Sequence, residues 1–198
     1  TLTNNGRVGF YGERNTGIFS NPTEYGYYRM TPGGTPVALV TSAEADIDTL
    51  PIFAPAMNDN GAIAFTASRE GNQLNRIGLY SSTGLGTVAL RASTDDAEFD
   101  QFGSPLINNA GTIAFSANRK AAVGGGQGIY TLSSTGERTK IFQTDTLTTL
   151  VYPDYIGFNN RGTIAFRAVQ DISPTKQELV LFVKFSSASA PVEVLRTG

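Results

Sequence analysis

The chain has 198 residues, 17 acidic against 15 basic side chains, and no Cys, His or Trp. Without Cys there is no disulfide framework, thiol catalysis or thiolate metal site, and without His the usual general base, zinc ligand and Ser-His-Asp triad are gone. Neither charge sign forms a run, which removes the electrostatic footprint of nucleic-acid binding, and no apolar stretch approaches the ~20 residues that span a bilayer.

In chain order, the first feature is Asn4-Asn5-Gly6 followed by Arg7-Val8-Gly9-Phe10. The phrase returns at Asn58–Phe65, Asn108–Phe115 and Asn159–Phe166, with glycines 55, 50 and 51 residues apart. A period of this size announces an array of similar supersecondary units. The start, Thr1-Leu2-Thr3-Asn4, has no signal-peptide character and lacks Met, and reads as a processed or trimmed start.

Each phrase opens a unit of predicted strands. In the first, Gly26–Met30, Val37–Val40 and Ile52–Ala54 follow the signature strand. The second has Ile77–Tyr80, Thr87–Leu90 and Ser104–Ile107. In the third, Thr112–Ala117 places Ile113 and Phe115 on one face and the small Ala114 on the other. Gly128–Leu132, Thr139–Gln143 and a short strand near Tyr155–Phe158 follow it. The fourth has Glu178–Val183 and Pro191–Leu195, and is short of one strand. The glycine run at 124–126 is a hairpin loop, since no Lys-Ser/Thr and no helix follow it.

Four short strands per unit of about fifty residues, with no sustained helical period, predict an all-β, β-propeller-like fold in one domain. The repeat units lie near 6–60, 61–110, 111–161 and 162–198 plus 1–5. Residues 1–5 resemble the close of a fourth strand, so they are expected to complete the last unit and close a four-bladed ring. The rival reading is an excerpt from a longer array. In the turn, Gly permits positive φ and Asn bonds its own backbone two residues on.

Three copies, on Asn58, Gly61, Ala64 and Phe65, on Asn108, Gly111, Ala114 and Phe115, and on Asn159, Gly162, Ala165 and Phe166, fit the pattern N-x-x-G-x-x-A-F. This resembles tandem-repeat proteins of bacterial surfaces that carry assorted C-terminal sorting anchors. The first copy departs, with Gly9 for Ala and an Asn spacing that fits only if a residue is lost before Gly6. The resemblance implies a secreted or surface-attached bacterial protein and carries no catalytic residue. No sorting anchor is present, which points to a clipped or incompletely represented precursor.

Acidic residues recur after the third strand of the units, and Asp46, Asp48, Asp95, Asp96 and Asp145 are candidate calcium ligands, oxygen donors on irregular loops. Tyr25, Tyr27, Tyr28, Tyr152 and Tyr155 are candidate glycan contacts, their rings stacking on sugar faces. The first expectation is a non-catalytic extracellular structural or interaction module. Residues 15–24, 69–76, 121–126 and 170–177 would vary to choose a protein or glycan partner. A lectin-like carbohydrate-binding protein is the alternative, and a carboxylate-dependent glycan hydrolase the third reading.

Overall fold

The computed structural model describes residues 1–14, 24–44, 46–69, 76–144, 148–186 and 190–197. The chain is all-β, with four antiparallel sheets distributed over two compact units, Thr1–Asp95 and Asp96–Gly198. Among the described residues the helical content is a single 3-10 turn, Ala121–Val123.

In the first unit, β1 (Val8–Arg14), β2 (Glu24–Met30) and β3 (Val37–Thr41) form the first sheet, and Leu2 bridges Val8 beside it. The second sheet contains β4 (Ile47–Thr49), β5 (Ala56–Met57), β6 (Ile63–Arg69), β7 (Ile77–Ser82) and β8 (Ala89–Ser93). β4 and β5 pair with the two halves of β6, so together they are one broken outer strand. In the second unit, β9 (Phe99–Phe102) and β10 (Leu106–Ile107) divide β11 (Ile113–Arg119) in the same way, ahead of β12 (Gln127–Leu132) and β13 (Arg138–Gln143). The fourth sheet runs β14 (Thr148–Phe158), β15 (Ile164–Ser173), β16 (Lys176–Lys184) and β17 (Val192–Arg196).

The signature turn builds every sheet from the same hairpin. Its glycines, Gly6, Gly61, Gly111 and Gly162, all have φ between 76 and 83°, the left-handed residue that ends a three-residue hairpin loop. Each donates its N–H to the carbonyl three residues back, at Thr3, Asn58, Asn108 and Asn159. Asn108 Oδ1 accepts from Ala110 N (3.1 Å) and Thr112 N (3.0 Å), and Asn159 Oδ1 from Arg161 N and Thr163 N. In the first copy Thr3 Oγ1 accepts from Arg7 N at 3.0 Å. Thr3 therefore stands where the other copies have Asn, and no residue is lost before Gly6.

A tight hairpin makes its two flanking strands neighbours, which corrects the expected cut between units. Met57 pairs with Ile63, Ile107 with Ile113, Phe158 with Ile164 and Leu2 with Val8. The strand before each turn thus belongs with the strands after it. Residues 1–5 join the first sheet through Leu2, rather than completing the last one, and the fourth sheet has all its strands. Ile52 and Phe53 also depart from expectation, lying in a bend at 72 and 75 % exposure. Pro51 and Pro55 flank them, and proline has no N–H for a ladder.

Two further devices recur in all four sheets. A bulge falls at the aromatic of the middle strand, between Tyr27 and Tyr28, Leu79 and Tyr80, Ile129 and Tyr130, and Leu181 and Phe182. Beyond the last strand, Ser42, Thr94, Thr144 and Thr197 latch back on Tyr25, Ile77, Gln127 and Leu179. Each hydroxyl accepts the partner's N–H while its own N–H donates to the partner's carbonyl.

The Phe of each signature strand meets an aromatic directly across the hairpin. Phe10–Tyr28, Phe65–Tyr80, Phe115–Tyr130 and Phe166–Phe182 stack with centroids 5.9, 5.4, 5.6 and 5.4 Å apart, geometry that adds about 0.5–1.5 kcal/mol to burial. In β11 both faces are covered, Ile113, Ala114 and Phe115 being fully buried. Ala114 and Ile129 share a cluster with Ile164 and Phe166 of the fourth sheet, the small side chain permitting close approach. In the first unit Tyr27, Leu39 and Val40 pack with Ile63, Phe65 and Tyr80. The signature turns join as well: Asn4 N donates to Asp59 Oδ1 (2.9 Å) and Asn109 N to Asn160 Oδ1 (2.8 Å), the same contact in both units.

Candidate functional site

A polar cluster of the first unit sits where β4 starts, β6 ends, β7 starts and β8 finishes. Asp46, at φ 71°, precedes β4. Arg69, the last residue of β6, grips its carboxylate with Nε and Nη2 (3.1 and 2.9 Å) and reaches Ser93 Oγ at 3.1 Å and Asp95 with Nη1. Arg76 holds Asp95 in a second fork, Nε to Oδ1 at 2.9 Å and Nη2 to Oδ2 at 2.7 Å. The Tyr80 hydroxyl donates to Asp46 Oδ2 at 3.1 Å. Such two-point guanidinium–carboxylate pairs fix orientation as well as charge.

The electrostatics follow from these partners. The Arg69 hydrogen bonds hold the Asp46 carboxyl below its ordinary range, and those from Arg76 pull Asp95 down to about 2. Burial, then the Asp46 charge, pushes the Tyr80 phenol up. In the second unit Glu98 precedes β9, with Arg119 Nε 3.8 Å from Oε1 and Arg138 bound to Oε2. Arg138 also lies over the Phe99 ring, 5.0 Å from its centroid. The Tyr130 hydroxyl is buried there with no hydrogen-bond partner among the described residues, and burial, then Glu98, raises its pKa.

The Asp95 pairing has a testable pH signature. Its folded value lies below the ordinary 3.8, so its stabilisation is complete above 3.8 and is lost as pH falls towards about 2. Because Asp95 is more than a third exposed, solvent screening keeps that contribution under about 1 kcal/mol. Asp95→Asn is therefore expected to lower the melting temperature at pH 7, by no more than roughly 2–4 °C. The gap should close as pH approaches 2; thermal melts in which it widens on acidification would contradict the pairing.

Of the expected calcium ligands, Asp46 and Asp95 come together, with arginines between them. Asp48 lies in β4, its carboxylate accepting from Thr49 Oγ1 at 3.4 Å and its carbonyl from the Tyr25 hydroxyl at 3.3 Å. The Asp96 carbonyl accepts from Lys120 Nζ at 2.9 Å. Asp145 lies outside the described residues. Among those described, no group of three or more His, Cys, Asp or Glu is placed to hold a metal.

The tyrosines divide by strand alternation. Tyr27 is buried, its hydroxyl given to Pro51 O at 3.0 Å, and its pKa is raised by burial. Tyr28 faces the other way, onto Phe10. Tyr25 is half-buried beside Tyr11, centroids 6.3 Å apart, and the Tyr11 hydroxyl is 3.4 Å from Glu13 Oε1. Tyr152 and Tyr155 lie on β14, and their side chains are outside the described set.

A cavity of about 90 Å³ opens between β9, β11 and β12, with Gln101, Phe102, Ser116, Asn118 and Gln127 on its walls. Asn118 bridges Gln101 and Gln127 through amide bonds of 3.0 and 3.1 Å. The Ser116 hydroxyl is buried without a partner among the described residues. Ligand pockets for small molecules usually run from about 300 Å³ upward, so this space suits ordered water.

The arginines were missed in the sequence, although a signal exists. Arg14, Arg69 and Arg119 each stand four residues beyond the signature Phe. The Ser/Thr latches likewise recur at the close of each unit.

These features define an all-β protein of four antiparallel sheets whose sheet ends are tied by carboxylate–guanidinium pairs and hydroxyl latches. The chain belongs to a family of unknown function, DUF7453, whose model matches residues 1–148 and so takes in the first three sheets. No curated protein and no solved structure matches it. Among the described residues, no helix is long and apolar enough to cross a membrane.

Proposed function

We propose that the chain is a non-catalytic module of an extracellular or cell-surface bacterial protein. In this reading it is a β-propeller-like array whose blades are scaffold and whose connecting loops meet a partner. One observation carries the reading: the carboxylates best placed for chemistry are engaged in ties between strand ends. Asp46 and Asp95 are held by Arg69 and Arg76, and Glu98 meets Arg119 and Arg138. Calcium at these positions has to displace a guanidinium from two of its five proposed ligands. The surface setting rests on the likeness of the N-x-x-G-x-x-A-F strands to bacterial surface repeats.

A carbohydrate-binding reading has its own support in the Tyr11–Tyr25 pair, two partly exposed rings beside Glu13. A glycan array separates the two. The scaffold reading expects no sugar-dependent signal from the intact chain. Reproducible binding that Tyr25→Ala abolishes would establish the lectin instead.

A further inference from the structure

We infer that the cavity beside Ser116 is a slot for one phenolic ring, free or carried as a tyrosine side chain on a partner peptide. The inference goes beyond the scaffold reading, and its test involves neither glycans nor turnover, so either can fail alone.

The first and third sheets share one hairpin register. On β1 and β2, Phe10 pairs with Tyr28, Tyr11 with Tyr27 and Glu13 with Tyr25. On β11 and β12, Phe115 pairs with Tyr130, Ser116 with Ile129 and Asn118 with Gln127. The bulge between Tyr27 and Tyr28 has its match between Ile129 and Tyr130, which anchors the alignment. Ser116 therefore stands where the first sheet has Tyr11, and Gln127 where it has Tyr25.

In the first unit those two rings fill the space beside the core. Tyr11 and Tyr25 pack against the cluster that holds Tyr27, Phe65 and Tyr80, and the Tyr11 ring lies 6.3 Å from Tyr25 and 6.4 Å from Tyr27. A serine and a glutamine do not replace that bulk. The cavity of about 90 Å³ lies on the substituted positions, with Ser116, Asn118 and Gln127 among its walls. It admits a single ring rather than a whole small-molecule ligand.

The walls state what the guest must carry. Ser116 is 4 % exposed, and its hydroxyl has no partner among the described residues. A buried hydroxyl left in that state favours any occupant that can bond it. Asn118 is bonded to Gln101 and Gln127 at 3.0 and 3.1 Å, so the polar wall is braced before a guest arrives. The described residues on the walls include no charged side chain, which suits a neutral guest. Gln101 is exposed and Ser116 is deep, so a ring entering from solvent brings its hydroxyl to Ser116. Water holds the slot until then, and the ring displaces it.

An NMR titration of the full chain with p-cresol, and separately with the peptides Gly-Tyr-Gly and Gly-Phe-Gly, tests this. Saturable shifts at the Ser116, Asn118 and Gln127 amides are expected with p-cresol, at a Kd of about 1 mM. If Gly-Tyr-Gly reproduces them, the guest is a tyrosine of a partner segment; if p-cresol alone does, it is a free phenol. Both results uphold the slot. Gly-Phe-Gly lacks the hydroxyl and should bind more weakly than Gly-Tyr-Gly. Ser116→Ala keeps the space but removes the bond, and should weaken p-cresol binding roughly two- to tenfold. Ser116→Tyr fills the slot from within and should abolish binding. Should that variant fail to fold, Ser116→Ala still carries the test. No saturable binding of p-cresol overturns the inference. So do shifts confined to other residues, or affinity unchanged in Ser116→Ala.

Discussion

Phe115→Ala is expected to cost about 3–5 kcal/mol, the range for an aromatic deleted from a packed core. Phe115 is fully buried, stacked on Tyr130 at 5.6 Å and set edge-on to Phe102 and Phe99 at 5.8 and 6.0 Å. Three rings lose a partner together, and strands pinned by a hairpin and a latch collapse poorly into the space left. A native protein is worth only about 5–15 kcal/mol in all, so this single change consumes a large share. Phe10→Ala removes the equivalent ring from a half-buried site and should cost less than half as much. Urea denaturation followed by circular dichroism, needed because the chain lacks Trp, reads the difference as a lower midpoint with an unchanged slope. Equal losses at the two positions would contradict the unequal burial.

Asn108→Ala should destabilise by about 1 kcal/mol or somewhat more, the cost of stranding partly buried amides. Asn108 is 5 % exposed, and its Oδ1 is the acceptor for both Ala110 N and Thr112 N. The first copy supplies the control. Thr3 Oγ1 serves the residue four on, at 3.0 Å, in the same turn. Asn108→Thr should therefore keep the longer-range bond and fall between wild type and Asn108→Ala. If threonine proves as damaging as alanine, the equivalence of Thr3 with Asn108 is mistaken.

The signature strands were readable because two local signals coincide there: alternation of period two and a turn that demands Gly. Ile113, Phe115 and the three strands that follow each turn needed nothing more. The outer strand was not readable, since β4 and β9 are three and four residues long and carry Asp48 and Asp100 among their few apolar positions. Such segments are strands only because β6 and β11 offer an edge to pair with. The unit boundary was misplaced for a related reason. Repetition reveals the period, but the hairpin decides which strands are neighbours, and cutting at the Gly severs Met57 from Ile63.

The candidate site was half legible. Recurrence of the acids at one point in each unit pointed to a common location, and Asp46 and Asp95 do meet. What they meet, Arg69 and Arg76, is 23 and 19 residues away from them and is chosen by strand register. Alternation along β2 already implied that Tyr25 and Tyr27 share a face that Tyr28 does not. Burial of Tyr27 against Phe65, 5.1 Å between centroids, depends on a second sheet and could not be read locally.

Every sheet is made from segments that follow one another along the chain, each pairing with a strand no more than two places away. No strand waits for a distant stretch to be synthesised before it finds an edge, and the entropic toll of closing long loops is avoided. Structure is therefore expected to accrue during translation in whole sheets, from the N-terminus onward.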